Sequence, residues 1–398
     1  MADQTYSKPK SGGFNMTTAI LLLLPLVVLG GVIILFLNTS GGLQLKSPAP
    51  VEDLSVERTV LSPGHIEIHV RNAGPEDLTI AQAIINDAVW PFGVSPSATI
   101  PRLGKAAVHL DYPWTQGEAY GVTLFSSNAL PFTVDVPVAF VTPEPRASTF
   151  WTFTLIGVYV GVIPIYLGLL WFPALRKLGR CAMTFLLALT AGLLVFLGLE
   201  TLSEALEQSI QVPGPFQAIG LIGIGVVTTF FLLDAITRRQ VGVGRSEVSQ
   251  RLSLAYMIAV GIGLHNLGEG LAIGAAYNAG EIALGAFLVV GFIIQNITEG
   301  LGIIAPVLRD RPGLKNLALM GLVGGAPAII GSWIGAFSPS PTLGVLFLAI
   351  GTGAVFEVVY EIAKLIQKDT TRQPMPFTVF SGIVTGMMIL WVTGLIIK

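Results

Sequence analysis

The sequence predicts an all-α polytopic membrane bundle, eight helices plus one N-terminal helix, carrying a small all-β outer domain of immunoglobulin-like sandwich type. Three observations predict it. Of 398 residues, 52% are hydrophobic and only 12% charged, against roughly 25% charged in an ordinary soluble domain, and the mean hydropathy is +0.73. The 46 glycines suit helices that must approach closely where lipid gives no hydrophobic drive between them. Residues 40–149 change character, with charges returning, Pro and Gly recurring, and apolar residues alternating with polar ones. A net charge of −2 and the lack of a basic patch interleaved with aromatics exclude nucleic acid as a partner. The single cysteine, Cys181, excludes a disulfide framework and a multi-thiolate metal site.

Taken in order, residues 1–39 read as a tail with Lys8 and Lys10, expected to be cytoplasmic, followed by an apolar run from Asn15 to Asn38. The run exceeds a signal h-region and no small-residue cleavage site follows it, so it is expected to stay as an anchor. In residues 40–149 the stretches His65-Ile66-Glu67-Ile68-His69-Val70 and Ala107-Val108-His109-Leu110-Asp111-Tyr112 alternate as half-buried strands do. Turn signals stand at Asn72-Ala73-Gly74-Pro75 and Gln116-Gly117. His65, Glu67 and His69 fall on one strand face, a pattern that suits either metal capture or a solvated surface. Residues 150–398 then hold eight apolar runs, at about 150–172, 181–203, 215–236, 252–277, 281–308, 314–337, 341–366 and 376–397. Each is long enough for the ~20 residues that cross the hydrocarbon.

Basic residues orient these spans, because cytoplasmic loops retain Lys and Arg. The loops after the first, third, fifth and seventh spans carry Arg176, Lys177 and Arg180; Arg238, Arg239, Arg245 and Arg251; Arg309, Arg311 and Lys315; and Lys364, Lys368 and Arg372, while the alternate loops carry none. The N-terminus is therefore expected in the cytoplasm, and residues 40–149 and the C-terminus outside it. The pairs Gly157/Gly161, Gly270/Gly274, Gly331/Gly335 and Gly382/Gly386 are expected to mark close helix crossings.

An ionisable side chain in a span is costly, and its default reading is an ion or proton path. The fourth span contains His265-Asn266-Leu267-Gly268-Glu269-Gly270-Leu271, and thirty positions later the fifth contains Gln295-Asn296-Ile297-Thr298-Glu299-Gly300-Leu301. The two share Asn-x-x-Glu-Gly-Leu, an internal repeat. Spacing of i, i+4 puts His265 with Glu269, and Gln295 with Glu299, on one helix face, with Asn266 and Asn296 flanking. Two such faces turned together offer one imidazole, two carboxylates and amide oxygens, a donor set for a divalent cation whose +2 charge offsets the acids. A polar seam that only hydrogen-bonds across helices is the competing reading. An intramembrane zinc protease is disfavoured, since Glu stands at 269 where its motif needs His.

The paired motifs and the eight-span, outside-to-outside topology resemble those of ZIP (Zrt/Irt-like) metal transporters, over about residues 150–398. The resemblance implies a transporter rather than an enzyme, moving divalent metal toward the cytoplasm by alternating access, with zinc the expected substrate and Fe²⁺, Mn²⁺ or Cd²⁺ as further candidates. It implies metal ligation by His265, Asn266, Glu269, Gln295, Asn296 and Glu299, with Glu299 expected to bridge two ions, and no organic cofactor. It also suggests path acids at Glu200 and Glu204 on the outer side and at Glu357 and Glu361 on the cytoplasmic side. Three positions depart from the family pattern: Gly268 and Thr298 replace the usual prolines, and Ala326 stands where a Glu ligand is frequent, so one ion or two is left open. The expected partners are the metal ion and the lipid bilayer, with a homodimer left open, and the expected location is the cell membrane. The alternative is a metal-sensing membrane receptor that uses the outer β domain, although no cytoplasmic segment is long enough for an output domain.

Overall fold

A computed structural model describes residues 16–39, 51–175, 177–240, 246–338, 340–370 and 374–397. Lys8, Lys10, Arg176, Arg245 and Arg372, used above for orientation, lie outside the described residues. The chain divides into two compact units, Met1–Val51 and Glu52–Lys398. The first contains helix α1, Met16–Thr39, a Leu/Val/Ile helix without a charged residue and with Pro25 inside it. Its side chains from Leu23 to Leu29 and from Val32 to Phe36 are exposed and apolar, which suits lipid and not water.

In the second unit, nine short strands among the described residues form two antiparallel sheets. One runs in the order β1 (Leu54–Ser62), β2 (His65–Asn72), β7 (Lys105–Leu110), β5 (Gly93–Ser95). The other runs β4 (Ala88–Trp90), β3 (Leu78–Ile85), β8 (Tyr120–Ser126), β9 (Pro131–Val136), with β6 (Thr99–Ile100) also on β3. The alternation that predicts the strands also fixes their faces. On β2, Ile66, Ile68 and Val70 are fully buried while His65, Glu67 and His69 face outward, and a one-residue slip in register would invert the set. Ile68 pairs with Val108 on β7, and these residues share one core with Ile80 and Ile85 of β3 and Val122 and Leu124 of β8. The β3–β4 hairpin turns on Asn86 and Asp87, both at positive φ (43° and 67°), the backbone that a two-residue turn between twisted strands requires.

Thr142-Pro143-Glu144-Pro145 leads from the strands into the helices. Thr142 is tied to β1 twice: its N–H donates to the Leu61 carbonyl (2.8 Å) and its Oγ1 accepts from the Leu61 N–H (2.9 Å). Eight described helices are long and apolar enough to span a membrane: α2 (Ala147–Leu175), α3 (Arg180–Gln211), α4 (Gly214–Arg239), α5 (Glu247–Asn278), α6 (Ile282–Val307), α7 (Leu314–Phe337), α8 (Pro341–Lys368) and α9 (Pro376–Leu395). The glycine pairs mark backbone crossings. A Cβ at Gly270 or Gly274 would overlap the Ala328 or Ser332 carbonyl oxygen of α7, and one at Gly331 or Gly335 would overlap the Leu267 or Leu271 carbonyl oxygen of α5. Gly382 and Gly386 of α9 meet α3 in the same way.

Two spans are irregular. In α2, Val158–Val162 winds as a π-helix. In α7, the helix stops at Gly325 and restarts at Pro327, whose ring nitrogen supplies no N–H to the turn before it. By contrast, α5 runs unbroken through Gly268 and α6 through Thr298. Each of Gly268 and Thr298 keeps the backbone N–H that proline would lack, so the helices continue through them.

Candidate metal centre

The centre lies where α5 and α6 face each other beside the irregular stretches of α2 and α7. His265, Asn266 and Glu269 project from α5, Asn296 and Glu299 from α6, and none is more than 5% exposed. A ligand-capable atom from each of His265, Glu269 and Glu299 lies within 4.8 Å of the others. Nε2 of His265 is 3.3 Å from Oε1 of Glu269, and Nδ1 on the other edge of the ring is 3.4 Å from Thr201 Oγ1 of α3. That contact holds the ring with Nε2 toward the carboxylates.

The two asparagines are held by irregular backbone. Asn266 Nδ2 donates to the Gly324 carbonyl at the break in α7 (2.9 Å). Asn296 Nδ2 donates to the Val160 carbonyl in the π turn of α2 (3.0 Å) and to Oε2 of Glu269 (2.8 Å). Because each amide nitrogen is committed, each Oδ1 is left as the free acceptor. Among the described residues, His265 Nε2, Asn266 Oδ1, Glu269 Oε1, Asn296 Oδ1 and both carboxylate oxygens of Glu299 are buried without a hydrogen-bond partner. His265 Nε2 and Glu269 Oε1 still face each other at 3.3 Å, but an unmet buried polar atom costs about 1–3 kcal/mol, and the four others at one centre are hard to account for as packing. Gln295 is half-buried and lines a small cavity with Glu299, Thr190 and Thr298.

A cavity of about 1180 Å³ lies between the strands and the helices, lined among others by Glu57, Asp135, Glu204, Gln208, Leu271 and Gly344. A second, of about 710 Å³, opens at the opposite ends of α3 and α5, lined by Arg180, Leu187, Arg251, Arg309, Glu361 and Lys368 among others. Glu204 borders the first and accepts from Gln208 Nε2 at 3.2 Å; Glu200 is exposed and is not part of that lining. Glu357 is fully buried, its Oε1 accepting from Thr237 of α4 (3.1 Å) and its Oε2 unmet among the described residues. Glu361 pairs with Lys364 at 2.6 Å.

Residues 234–356 match the family model described as ZIP Zinc transporter. This part of the chain is a ZIP zinc transporter domain. The ZIP match contains His265, Asn266, Glu269, Gln295, Asn296 and Glu299; it leaves out Glu200, Glu204, Glu357 and Glu361, and is narrower than the 150–398 over which the resemblance was read. ZIP proteins are membrane transporters of divalent metal, and the matched domain together with the eight apolar helices marks the chain as an integral membrane protein. No curated protein matches the chain.

Sequence reasoning passed over Asp234 of α4. It is buried, pairs with Arg238 through Oδ2 (2.7 Å), and lies 3.7 Å from Lys364, so it joins Glu357 and Glu361 in one acidic group. The signal was present, an acid at the end of the apolar run Thr228 to Leu233, but the arginines that follow disguise it as a helix end. Thr201 and Thr237 were also missed; a threonine in an apolar helix ordinarily bonds its own backbone and carries no signal.

Proposed function

We propose that the chain carries divalent metal ions, zinc foremost and Fe²⁺, Mn²⁺ or Cd²⁺ as further candidates, toward the cytoplasm through a mid-membrane centre formed by His265, Asn266, Glu269, Gln295, Asn296 and Glu299. The observation that carries the reading is the buried cluster of ligand-capable atoms, few of them met by hydrogen bonds, in which two carboxylates would offset a +2 ion and an imidazole would add a nitrogen ligand. One imidazole among oxygen donors, with no thiolate, suits zinc without excluding harder first-row ions. Glu299 is the ligand placed to bridge a second ion if two are held.

The proposed path enters at Glu204, with Glu200 one turn before it, and leaves past Glu357, Asp234 and Glu361. The cavities at the two ends of α3 and α5 support alternating access, in which one helix group moves against another around a fixed site. The arginine- and lysine-bearing loops favour a cytoplasmic N-terminus and an outer C-terminus in a cell membrane. In this reading residues 1–39 are tail and anchor, 40–149 an extracytoplasmic β domain, and 150–398 the transport domain. The decisive experiment is metal uptake into proteoliposomes containing the purified chain, with Zn²⁺, Fe²⁺, Mn²⁺ and Cd²⁺ in turn. Saturable Zn²⁺ uptake that Glu269→Gln and Glu299→Gln both abolish is expected; uptake at the level of empty liposomes for all four ions would refute the assignment.

A further inference from the structure

The strands hold a second cluster of metal-ligating side chains, far from the first in sequence and independent of it. The outward face of β2 presents His65 and Glu67, and antiparallel pairing sets His109 of β7 directly opposite Glu67. The His65 and His109 rings stack at 5.7 Å with 25° between their planes. A ligand-capable atom from each of His65, Glu67 and His109 lies within 4.8 Å of the others.

Both imidazoles are already oriented from behind. His65 Nδ1 is 2.9 Å from Asp111 Oδ1, which leaves Nε2 for a ligand. His109 Nε2 is 2.8 Å from Ser95 Oγ on β5, which leaves Nδ1, and that atom lies 4.0 Å from Glu67 Oε2. A carboxylate or hydroxyl holding the far nitrogen of a histidine fixes its tautomer and ring plane and raises its basicity, as in zinc-binding histidines generally. His69 is different. Its Nε2 faces the Arg58 guanidinium at 3.3 Å and Oε1 of Glu67 at 2.8 Å, so a cation beside it would meet a fixed positive charge. The single-strand trio of His65, Glu67 and His69 thus gives way to a set drawn from two strands.

We propose that His65, Glu67 and His109 form a zinc-class divalent cation site on the β-strand region, oriented by Asp111 and Ser95. Two imidazole nitrogens and one carboxylate oxygen make three of the four positions of a tetrahedral ion, with water for the fourth. The same set is too small and too rich in nitrogen for Ca²⁺ or Mg²⁺. The proposal stands whether or not the membrane helices transport metal.

The test uses the tag-free full chain in detergent with Glu269→Gln and Glu299→Gln in place, so that the membrane centre is silenced. Zn²⁺ is titrated by calorimetry, and Co²⁺ by visible absorption, which reports a four-coordinate ion. One bound ion per chain is expected, weakened at least tenfold by His65→Ala or His109→Ala. Asp111→Asn should weaken it by about ten- to a hundredfold, as loss of an orienting partner does, and His69→Ala, which removes a contact to Glu67 but no ligand, should weaken it less than His65→Ala or His109→Ala does. Binding unchanged by His65→Ala and His109→Ala, or no binding in a chain whose circular dichroism and elution match wild type, overturns the proposal. If the double background does not fold, the metal content of the otherwise wild-type chain decides it: one ion fewer with His65→Ala/His109→Ala supports the site, and an equal count refutes it.

Discussion

Glu299→Gln isolates charge from shape. The side chain is 5% exposed and makes no close hydrogen bond among the described residues, so the substitution disturbs little within the protein. Gln keeps the length, one ligand oxygen and nearly the same helix propensity, and a neutral amide is cheaper to bury than a carboxylate. What it removes is one of the two negative charges facing a +2 ion. Unit charges ~4 Å apart interact by about 4 kcal/mol at an effective dielectric of ~20, and removing one partner from a buried pair costs about 3–5 kcal/mol. At ~1.4 kcal/mol for each factor of ten, zinc should bind about 10²–10⁴-fold more weakly. The assay is calorimetry on the detergent-solubilised chain, paired with proteoliposome uptake. The metal-free variant should insert and elute as wild type does, with an equal or higher Tm. Affinity within about threefold of wild type, far inside the range set by that charge loss, together with near-normal uptake, would refute the reasoning and leave the repeated motif a polar seam.

His265→Ala should lower Zn²⁺ uptake more than Mn²⁺ uptake, because it removes the only nitrogen ligand while the oxygen donors stay; equal losses in parallel uptake assays would show that the imidazole does not discriminate. In a Cys181→Ser background, Gln116→Cys should react with an impermeant maleimide in intact cells and Val243→Cys only after permeabilisation, and the reverse pattern would invert the proposed topology. On the strands, burial raises the Glu57 pKa, but hydrogen bonds from Lys105 and Arg71 outweigh it and leave the carboxyl below its ordinary 4.5. Its contribution, on the order of 1 kcal/mol for a partly screened pair, is therefore present above pH 4.5 and fades as pH falls through the lowered folded value. Glu57→Gln should flatten that acid limb in unfolding curves followed by tryptophan fluorescence, and an unchanged limb would show that the pair contributes nothing.

The spans were legible because each is an apolar run of membrane length, and the strands because Ile66, Ile68 and Val70 alternate with polar neighbours. The centre was legible because a histidine and two glutamates stand in such runs, in a repeat that fixes their relative phase. The irregular helices were legible only in part: Pro164 has no N–H for the Val160 carbonyl four residues before it, and Pro327 has none for Val323, but nothing in the sequence says that these two stretches pack together, as Gly161 and Gly325 do. The partner of Glu67 was equally hidden: His109 lies far along the chain, and only the β2–β7 register brings the two together.

That pairing of irregular stretches explains why the legible features work. A regular helix spends its carbonyls on its own N–H groups and has few to offer a neighbour. The carbonyls that hold Asn296 and Asn266 come from the π turn at Val160 and the junction at Gly324, where the ladder is disturbed. The same two stretches interlock, since a Cβ at Gly161 would overlap the Gly325 carbonyl oxygen. The amides are thus anchored to one paired irregularity, and through Asn296 the anchor extends to Oε2 of Glu269. The centre is fixed chiefly by backbone, and among the described residues no lysine or arginine pairs with Glu269 or Glu299. On the proposed reading a divalent cation is what offsets these acids, as a transport site requires and a salt-bridged seam would not allow.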